Sequence, residues 1–327
     1  MMKDLTKTAS PARVLLDSNL WRYIVDVGLQ GRLLQAARHG SVVVQIAPAI
    51  VYEALRLRDV PLRNRLVALM TNRSFHRLMP EAYSETMEIL DEIRRLRPGW
   101  LRREPDLVFF NRSRSDWSRK MGGFWVRCAN SPGQEASYVR EMEGSLLEQA
   151  GQQIKDARKE MLDAGWKSNL SLSEIRASPK HPIKGWNGER VDAWRLESLV
   201  GTTYALSRPG HPYRDWLHPF VDVDRGLLQS SAWVEFWLHA VSVQALPRQW
   251  LRWGHSFAQR FRKVSPGSGG DNQLFSYLTE TDRVITADKG FIDILEVCRP
   301  SAPCALPVGQ LVPAGPEGAE ATIAALH

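Results

Sequence analysis

Cysteine is scarce in this chain, with only Cys128, Cys298 and Cys304 among 327 residues. There is no CxxC pair and no cysteine-histidine cluster, which argues against zinc sites and against a disulfide scaffold. No stretch approaches the roughly 18 consecutive apolar residues that a membrane helix needs. The first residues, MMKDLTKTASPARVLLD, also lack the apolar core of a signal peptide. We therefore expect a cytoplasmic protein without a membrane segment.

Several familiar catalytic motifs are also missing. The sequence has no GxSxG nucleophile motif, no phosphate-binding glycine loop of the nucleotide-hydrolase type and no cysteine-histidine nucleophile arrangement. The hydrophobic content of 43% is enough for a sizeable core, and nothing in the composition suggests disorder. The net charge of +7 favours acidic partners such as nucleic acid or a membrane surface.

The N-terminal region has the pattern of a parallel α/β sheet. Residues 13–17 (RVLLD) and 41–46 (SVVVQI) are typical of buried strands. Residues 20–38 between them predict a helix, and Pro48 suits the first turn of a second helix. Alternating strands and helices indicate a sheet whose strands run parallel.

The pattern changes from about residue 80 to 265, where helical periodicity dominates and strand signals are almost absent. The clearest predicted helix covers 135–163 and is closed by Gly165. Eleven of the twelve tryptophans lie between 100 and 253, which predicts a separate aromatic core or a binding face. The α/β pattern returns after PGSGG at 266–270, which predicts a turn or hinge.

The predicted organisation is therefore one α/β domain with an insertion. Residues 1–79 and 266–327 form the two parts of the domain, and 80–265 form a mostly helical insertion. The C-terminal part contains two strand-like segments, VITA at 284–287 and ALPVGQLV at 305–312.

Four carboxylates are predicted to meet at one edge of the sheet. Asp17 and Asp288 end strands, whereas Glu53 and Asp271 lie near the starts of helices that begin at the same edge. Taken singly, each residue is more simply a turn former, a helix cap or a solvated helix residue. Together, the four would repel one another unless a cation lay among them. Oxygen-only ligands select a hard divalent ion, Mg²⁺ or Mn²⁺, which can assist attack of water on a phosphate.

The segments that carry these acids resemble the PIN-domain nuclease family. LLDSN (15–19) resembles its opening strand and first acid, and APAIVYEAL (47–55) its second helix. GDNQLFSYL (270–278) is similar to the helix with the third acid, and DRVITADKGF (282–291) to the strand with the fourth. The resemblance covers about 1–75 and 266–312.

The resemblance implies a PIN-like, Rossmann-like α/β sheet and a metal-dependent phosphodiesterase, most often an endoribonuclease. Asp17, Glu53, Asp271 and Asp288 become the catalytic, metal-binding acids. Asn19 is expected to hydrogen-bond Asp17, and Thr286 to hydrogen-bond a carboxylate or a phosphate. Compact family members are often toxins neutralised by an antitoxin and are commonly dimers, so a protein inhibitor and a homodimer are conceivable partners.

The insertion departs from the family pattern, because 218 positions separate Glu53 from Asp271. Two alternatives therefore stay open: a non-catalytic module that binds RNA or protein, and a structure-specific DNA nuclease. The DNA enzymes of this superfamily tend to carry more acids, and only Asp282 and Asp293 are near candidates here. RNA is therefore the favoured substrate.

Two stretches of the insertion combine arginines with aromatic residues, which suits phosphate contacts and base stacking. Residues 94–127 hold ten Lys/Arg against three Asp/Glu, and residues 248–263 hold five Lys/Arg and no acid. For 248–263 the helical spacing of the aromatics equally indicates a core face. The candidate nucleic-acid-binding residues are Arg102, Arg103, Arg112, Arg114, Trp117, Arg119, Lys120, Arg252 and Arg260.

Residues 211–224 (HPYRDWLHPFVDVD) concentrate histidines and aspartates. A second metal site is conceivable there. The neighbouring prolines favour the simpler interpretation that these are turn and cap residues.

Overall fold

The computed structural model describes residues 10–39, 41–119, 121–140, 156, 158, 159, 162, 163, 171–175, 183–260 and 268–327. Most of the helix predicted at 135–163, including Gly165, lies outside these residues. The described part forms an α/β protein with a five-stranded sheet.

All strand pairings in the sheet are parallel, and the strand order is β3-β2-β1-β4-β5. The central strand β1 pairs with β2 on one side and with β4 on the other. This order is compatible with a Rossmann-like fold. The strands are β1 (Ala12–Leu16), β2 (Val42–Ile46), β3 (His76–Arg77), β4 (Arg283–Thr286) and β5 (Val308–Leu311).

The helices that belong to the two sequence-distant parts of the sheet are interleaved with the strands. Those before residue 80 are α1 (Ser18–Asp26), α2 (Gln30–His39), α3 (Pro48–Arg56) and α4 (Val60–Met70). Those after 265 are named α13 (Ser268–Tyr277), α14 (Lys289–Cys298) and α15 (Pro316–Ala325). Helix α15 packs against α1, so the last described helix contacts the first one.

The described part of 80–265 is helical, with one isolated antiparallel bridge between Leu101 and Val221. Its α-helices are α5 (Glu81–Leu96), α6 (Leu107–Ser118), α7 (Phe124–Asn130), α8 (Arg190–Ser207), α9 (Pro212–Leu217), α10 (Arg225–Leu228), α11 (Ser231–Glu235) and α12 (Pro247–Gln259). Residues 132–140 are also helical, and a π-helical turn covers Phe236–Ala240. Short 3-10 turns cover Pro98–Trp100, Leu172–Glu174, Val243–Ala245, Leu278–Glu280 and Arg299–Ser301.

This helical region shares its core with the sheet. Helix α12 packs against α13 and α14, and α5 also packs against α13. A continuous cluster of buried apolar side chains joins strand residues such as Leu15 to Trp194, Trp237 and Trp250. Most of the described tryptophans of the insertion are therefore core residues, and burial of such large rings is stabilising.

Two local predictions were wrong, and one strand was missed. The predicted helix 20–38 is two helices, broken at Gly28, whose φ of +76° is in the left-handed region that favours glycine. Of the predicted turn at 266–270, the described residues 268–270 are helical, and 266 and 267 lie outside the described residues. Strand β3 was missed, since its two residues are too few to show a periodic pattern.

None of the described helices combines the length and the apolar composition that crossing a bilayer requires.

Candidate metal centre

The candidate site lies between β1 and β4, where the strand order of the sheet reverses. Strands β1 and β4 are neighbours, with Leu16 opposite Ile285, and the chain continues from β1 to β2 on one side and from β4 to β5 on the other. At such a switch point the connections leave in opposite directions and open a crevice at the carboxyl ends of the strands. Asp17 and Asp288 follow these two strand ends.

Asp17 is buried, with 1% of its surface exposed, and its carboxylate is held from two sides. Oδ1 accepts hydrogen bonds from the Ser18 backbone N–H at 2.6 Å and from the Ser18 hydroxyl at 3.2 Å. Oδ2 accepts a hydrogen bond from the Thr286 hydroxyl at 2.7 Å. Burial is the main cause that raises the pKa of Asp17, and these hydrogen bonds act against it.

Thr286 connects the two strand-end acids. Its buried hydroxyl donates to Asp17 and accepts a hydrogen bond from the Asp288 backbone N–H at 2.9 Å. Asp288 is the N-cap of α14, and its Oδ1 accepts from Gly290 N–H at 2.6 Å. One hydroxyl thus fixes the spacing of the first and fourth acids through the sheet.

Glu53 lies in the middle of α3 and reaches the start of α13. A Cβ placed on Gly270 would lie 1.6 Å from Glu53 Oε1, so the carboxylate occupies the space that any other residue at 270 would fill. Burial raises the pKa of Glu53 to about 6, and the charge of Asp17 also raises it. The Ser18 hydroxyl and the positive charge of Arg56 lower it.

Asp271 follows Gly270 in the first turn of α13. Burial and, in decreasing order, the charges of Asp17, Glu53 and Asp288 together raise its pKa to about 8. Its carboxylate accepts no hydrogen bond from any residue in the described part of the chain. The four predicted acids therefore share one electrostatic environment, although they come from sequence positions up to 271 residues apart.

The prediction for Asn19 was wrong. Asn19 is exposed and makes no hydrogen bond with Asp17, whose partners are Ser18 and Thr286. Helix α1 begins at Ser18, which turns the side chain of the next residue away from the acid.

The donor set fits a hard divalent cation, since the four acids supply only oxygen ligands. Across the described ranges, no lysine or arginine forms a salt bridge with any of them. In the same residues, no three His, Cys, Asp or Glu side chains form a group that could hold a metal ion as they stand. Binding an ion would therefore require the carboxylates to move closer together, against their mutual repulsion.

The predicted nucleic-acid-binding arginines fall into two sets. Four of them are committed to partners within the protein: Arg102 bonds the His218 carbonyl and Asp222, Arg119 bonds Asp116, Arg252 bonds Glu85 and Arg260 bonds Glu197. Glu85 is only 2% exposed in its side chain, so its pair with Arg252 is an internal structural contact. The prediction for Arg252 is corrected accordingly, because its guanidinium neutralises a buried acid. The other three pairs are partly exposed, and Arg102, Arg119 and Arg260 stay predicted phosphate contacts.

Arg103, Arg112 and Arg114 are exposed and form no ion pair within the described residues. They keep the capacity to contact phosphate. Lys120 lies outside the described residues.

The aromatic residues of the two basic stretches mostly pack inward. Trp250, Trp253 and Phe257 are buried, which agrees with the core-face interpretation of 248–263. Trp117 is half-buried and packs on Phe124, with ring centroids 4.4 Å apart. Of the described aromatic rings in 94–127, only Phe124 and Trp125 are buried, so the prediction of a stacking surface was wrong for these two rings. Trp100 and Phe110 are half-buried like Trp117, and Phe109 is 44% exposed.

The histidine-aspartate segment has capping roles, as its simpler interpretation predicted. His211 caps α9 by accepting a hydrogen bond from Tyr213 N–H. Asp224 caps α10 by accepting one from Leu227 N–H at 2.7 Å.

Sequence reasoning missed Ser18 and Gly270. Ser18 directly follows Asp17 at the end of a strand, and a hydroxyl in that position commonly hydrogen-bonds the acid. This position is the signal that could have identified Ser18. Gly270 was assigned to a turn, although a glycine inside a helix also marks a close approach by another group. Comparison with protein-family models, with curated proteins and with solved structures finds no match to this chain.

Proposed function

We propose that this protein is a PIN-like, Mg²⁺- or Mn²⁺-dependent nuclease that hydrolyses phosphodiester bonds, with RNA as its preferred substrate. The observation that carries the proposal is the meeting of Asp17, Glu53, Asp271 and Asp288 at the switch point of the sheet. Three of them, Asp17, Glu53 and Asp271, have raised pKa values, and burying such acids side by side would be costly in a purely structural role. Strongly perturbed acids in a cleft are typical of functional sites.

In this proposal the four acids hold the metal ion. Asp271 is the acid whose carboxylate accepts no hydrogen bond from the described residues, so it is available to bind the ion. Asp17 is oriented by Ser18 and Thr286, so its position is fixed before an ion arrives. Asp288 is oriented by its helix-cap hydrogen bonds. Such oriented ligands lower the reorganisation that binding would otherwise require.

A bound divalent ion supplies two things: it lowers the pKa of water to give a nucleophile, and it offsets charge on the phosphate under attack. The four carboxylates would hold the ion beside the phosphodiester, so that its positive charge lies close to the reacting atoms. Exposed arginines such as Arg112 and Arg114 would contact the backbone of the nucleic acid on approach.

The acid count favours RNA over a structure-specific DNA substrate. Asp282, one candidate for an additional ligand, lies at the opposite end of β4, where it forms a salt bridge with Arg13 at 2.8 Å. It is therefore unsuited to a second metal site at the switch point.

The test is cleavage of labelled single-stranded RNA and matched DNA with Mn²⁺, with Mg²⁺ and with EDTA. We expect metal-dependent cleavage that is lost in Asp288→Asn. Asp282→Asn is a matched control, because it makes the same chemical change at the other end of the same strand. Full activity of a folded Asp288→Asn variant would refute the mechanism.

A second candidate is a non-catalytic module that binds RNA or a protein partner. It is favoured by the absence, in the described part, of a group of acids spaced to hold an ion. Thermal unfolding with and without Mn²⁺ separates the two. A nuclease of the proposed kind is stabilised by the ion, whereas a module without a metal site shows no shift.

A further inference from the structure

A small cavity adjoins the acids on the side of α1 and α3. It is lined at one end by Ser18 and Glu53, both of which belong to the candidate site. Its volume is about 110 Å³. The cavity therefore continues the site away from the sheet, between α1, α3 and α4.

The walls of this cavity are apolar and rigid. Ile50, Ala54, Leu66 and Met70 contribute them, and each is at most 4% exposed. Leu57 contributes a half-buried wall. Buried side chains on three packed helices keep such a space open, because the close-packed interior around them collapses only in part.

The mouth of the cavity is polar. Asn19 is exposed there and makes no hydrogen bond with any described residue, so its amide can both donate and accept. Arg22 also lines the mouth, and its ion pair with Asp26 is long, at 3.6 Å, between half-exposed side chains. An exposed pair of this kind contributes little, so the guanidinium is available to a phosphate.

We propose that this cavity binds one pyrimidine base of the nucleic acid, next to the phosphodiester that is cleaved. Its apolar walls contact the faces of the ring, Asn19 bonds the edge of the base, and Arg22 contacts the adjoining phosphate. An apolar cavity of roughly 150 Å³ accommodates one benzene ring. At about 110 Å³ this cavity is smaller, but it is open at its mouth, so a single ring can enter while its polar edge stays at the mouth. The double ring of a purine is too large to enter in this way. This inference rests on the proposed nuclease function.

The experiment measures binding separately from cleavage. Fluorescence anisotropy of labelled six-nucleotide oligo-U, oligo-A and an abasic oligomer is recorded with wild-type protein and Ca²⁺. We expect oligo-U to bind at least fivefold more tightly than the other two. Ala54→Met, which fills the cavity, removes this preference, and Leu57→Ala, which widens it, brings oligo-A closer to oligo-U.

Asn19→Ala tests the mouth without disturbing the core, and Asn130→Ala, at another exposed asparagine, is its matched control. We expect only Asn19→Ala to reduce the preference for oligo-U. Equal binding of the three oligomers, no binding at all, or equal effects of the two asparagine variants would overturn the proposal.

Cleavage of the same oligomers with Mn²⁺ reports on the nuclease itself. Cleavage without base preference overturns the pyrimidine site and leaves the nuclease intact. Selective binding of oligo-U without cleavage supports the base site and overturns the nuclease.

Discussion

Gly270→Ala is expected to separate stability from function, because the clash it creates involves only the end of the Glu53 side chain. The new Cβ would lie 1.6 Å from Glu53 Oε1 and 2.7 Å from its Cδ, distances that no real contact allows. Glu53 is partly exposed, so its carboxylate can rotate away from α13. Replacing glycine by alanine within a helix also gains about 1 kcal/mol of helix propensity.

The free energy of unfolding of the metal-free protein should therefore stay within about 1 kcal/mol of wild type. Function should suffer, since one of the four acids is displaced. Loss of a group that orients a metal site typically costs about 10- to 100-fold in affinity or activity. We expect at least a tenfold loss of metal-dependent cleavage and a smaller shift of the unfolding temperature on adding Mn²⁺.

The assay pairs urea denaturation in EDTA with thermal unfolding over a Mn²⁺ titration and with RNA cleavage. Gly201→Ala in α8 is the control, because a Cβ there meets nothing within 4 Å and makes the same helix-propensity change. Glu53→Gln shows the effect of losing the charge alone. A folded Gly270→Ala protein with wild-type cleavage and an unchanged response to Mn²⁺ would refute the assignment of Glu53 to the site.

Four further outcomes are expected. Thr286→Val removes the buried hydrogen bond to Asp17 and should lower the free energy of unfolding by about 1.5–3 kcal/mol and reduce cleavage. Thr286→Ser keeps the hydroxyl and should retain both stability and cleavage. In EDTA, the free energy of unfolding of the wild type should fall by on the order of 2–4 kcal/mol between pH 4 and 8. The reason is that the folded state keeps a proton on Asp271 up to its pKa of about 8, whereas the unfolded state loses it near the ordinary pKa of aspartate. In urea titrations at several pH values, Asp271→Asn should flatten this fall. Arg252→Met leaves Glu85 buried without its ion pair and should destabilise by about 3–5 kcal/mol, measured by urea denaturation. The Arg112→Ala/Arg114→Ala double variant should weaken RNA binding, reduce the slope of log affinity against log salt by about 1–2, and leave stability unchanged; an unchanged slope would exclude these arginines from the interface.

Much of the α/β region could be predicted from local pattern. β-branched and apolar runs at 13–17, 41–46 and 284–287 predicted three strands within a residue of their observed bounds. Pro48 begins α3 as expected from its fixed φ and missing N–H. These features depend on neighbours within a few positions, which is why the sequence alone reveals them.

The roles of the arginines could not be predicted in the same way. A basic helix such as 248–263 has the same composition whether its charges face solvent or face acids on other helices. In the folded chain Arg248 pairs with Glu88 and Glu280, and Arg252 pairs with Glu85, which lies 167 positions away. Only packing between distant segments decides which charge is neutralised and which stays free for a ligand.

The sequence by itself therefore determined the strand ends and the acids that follow them, since strand geometry and helix capping are local. The tertiary structure alone decided that Glu53 lies against Gly270, that the Asp271 carboxylate accepts no hydrogen bond from the described residues, and that a cavity of about 110 Å³ adjoins the site. These properties arise from helices brought together across more than two hundred residues of intervening chain. Distance, burial and the field of neighbouring charges exist only once that chain is folded.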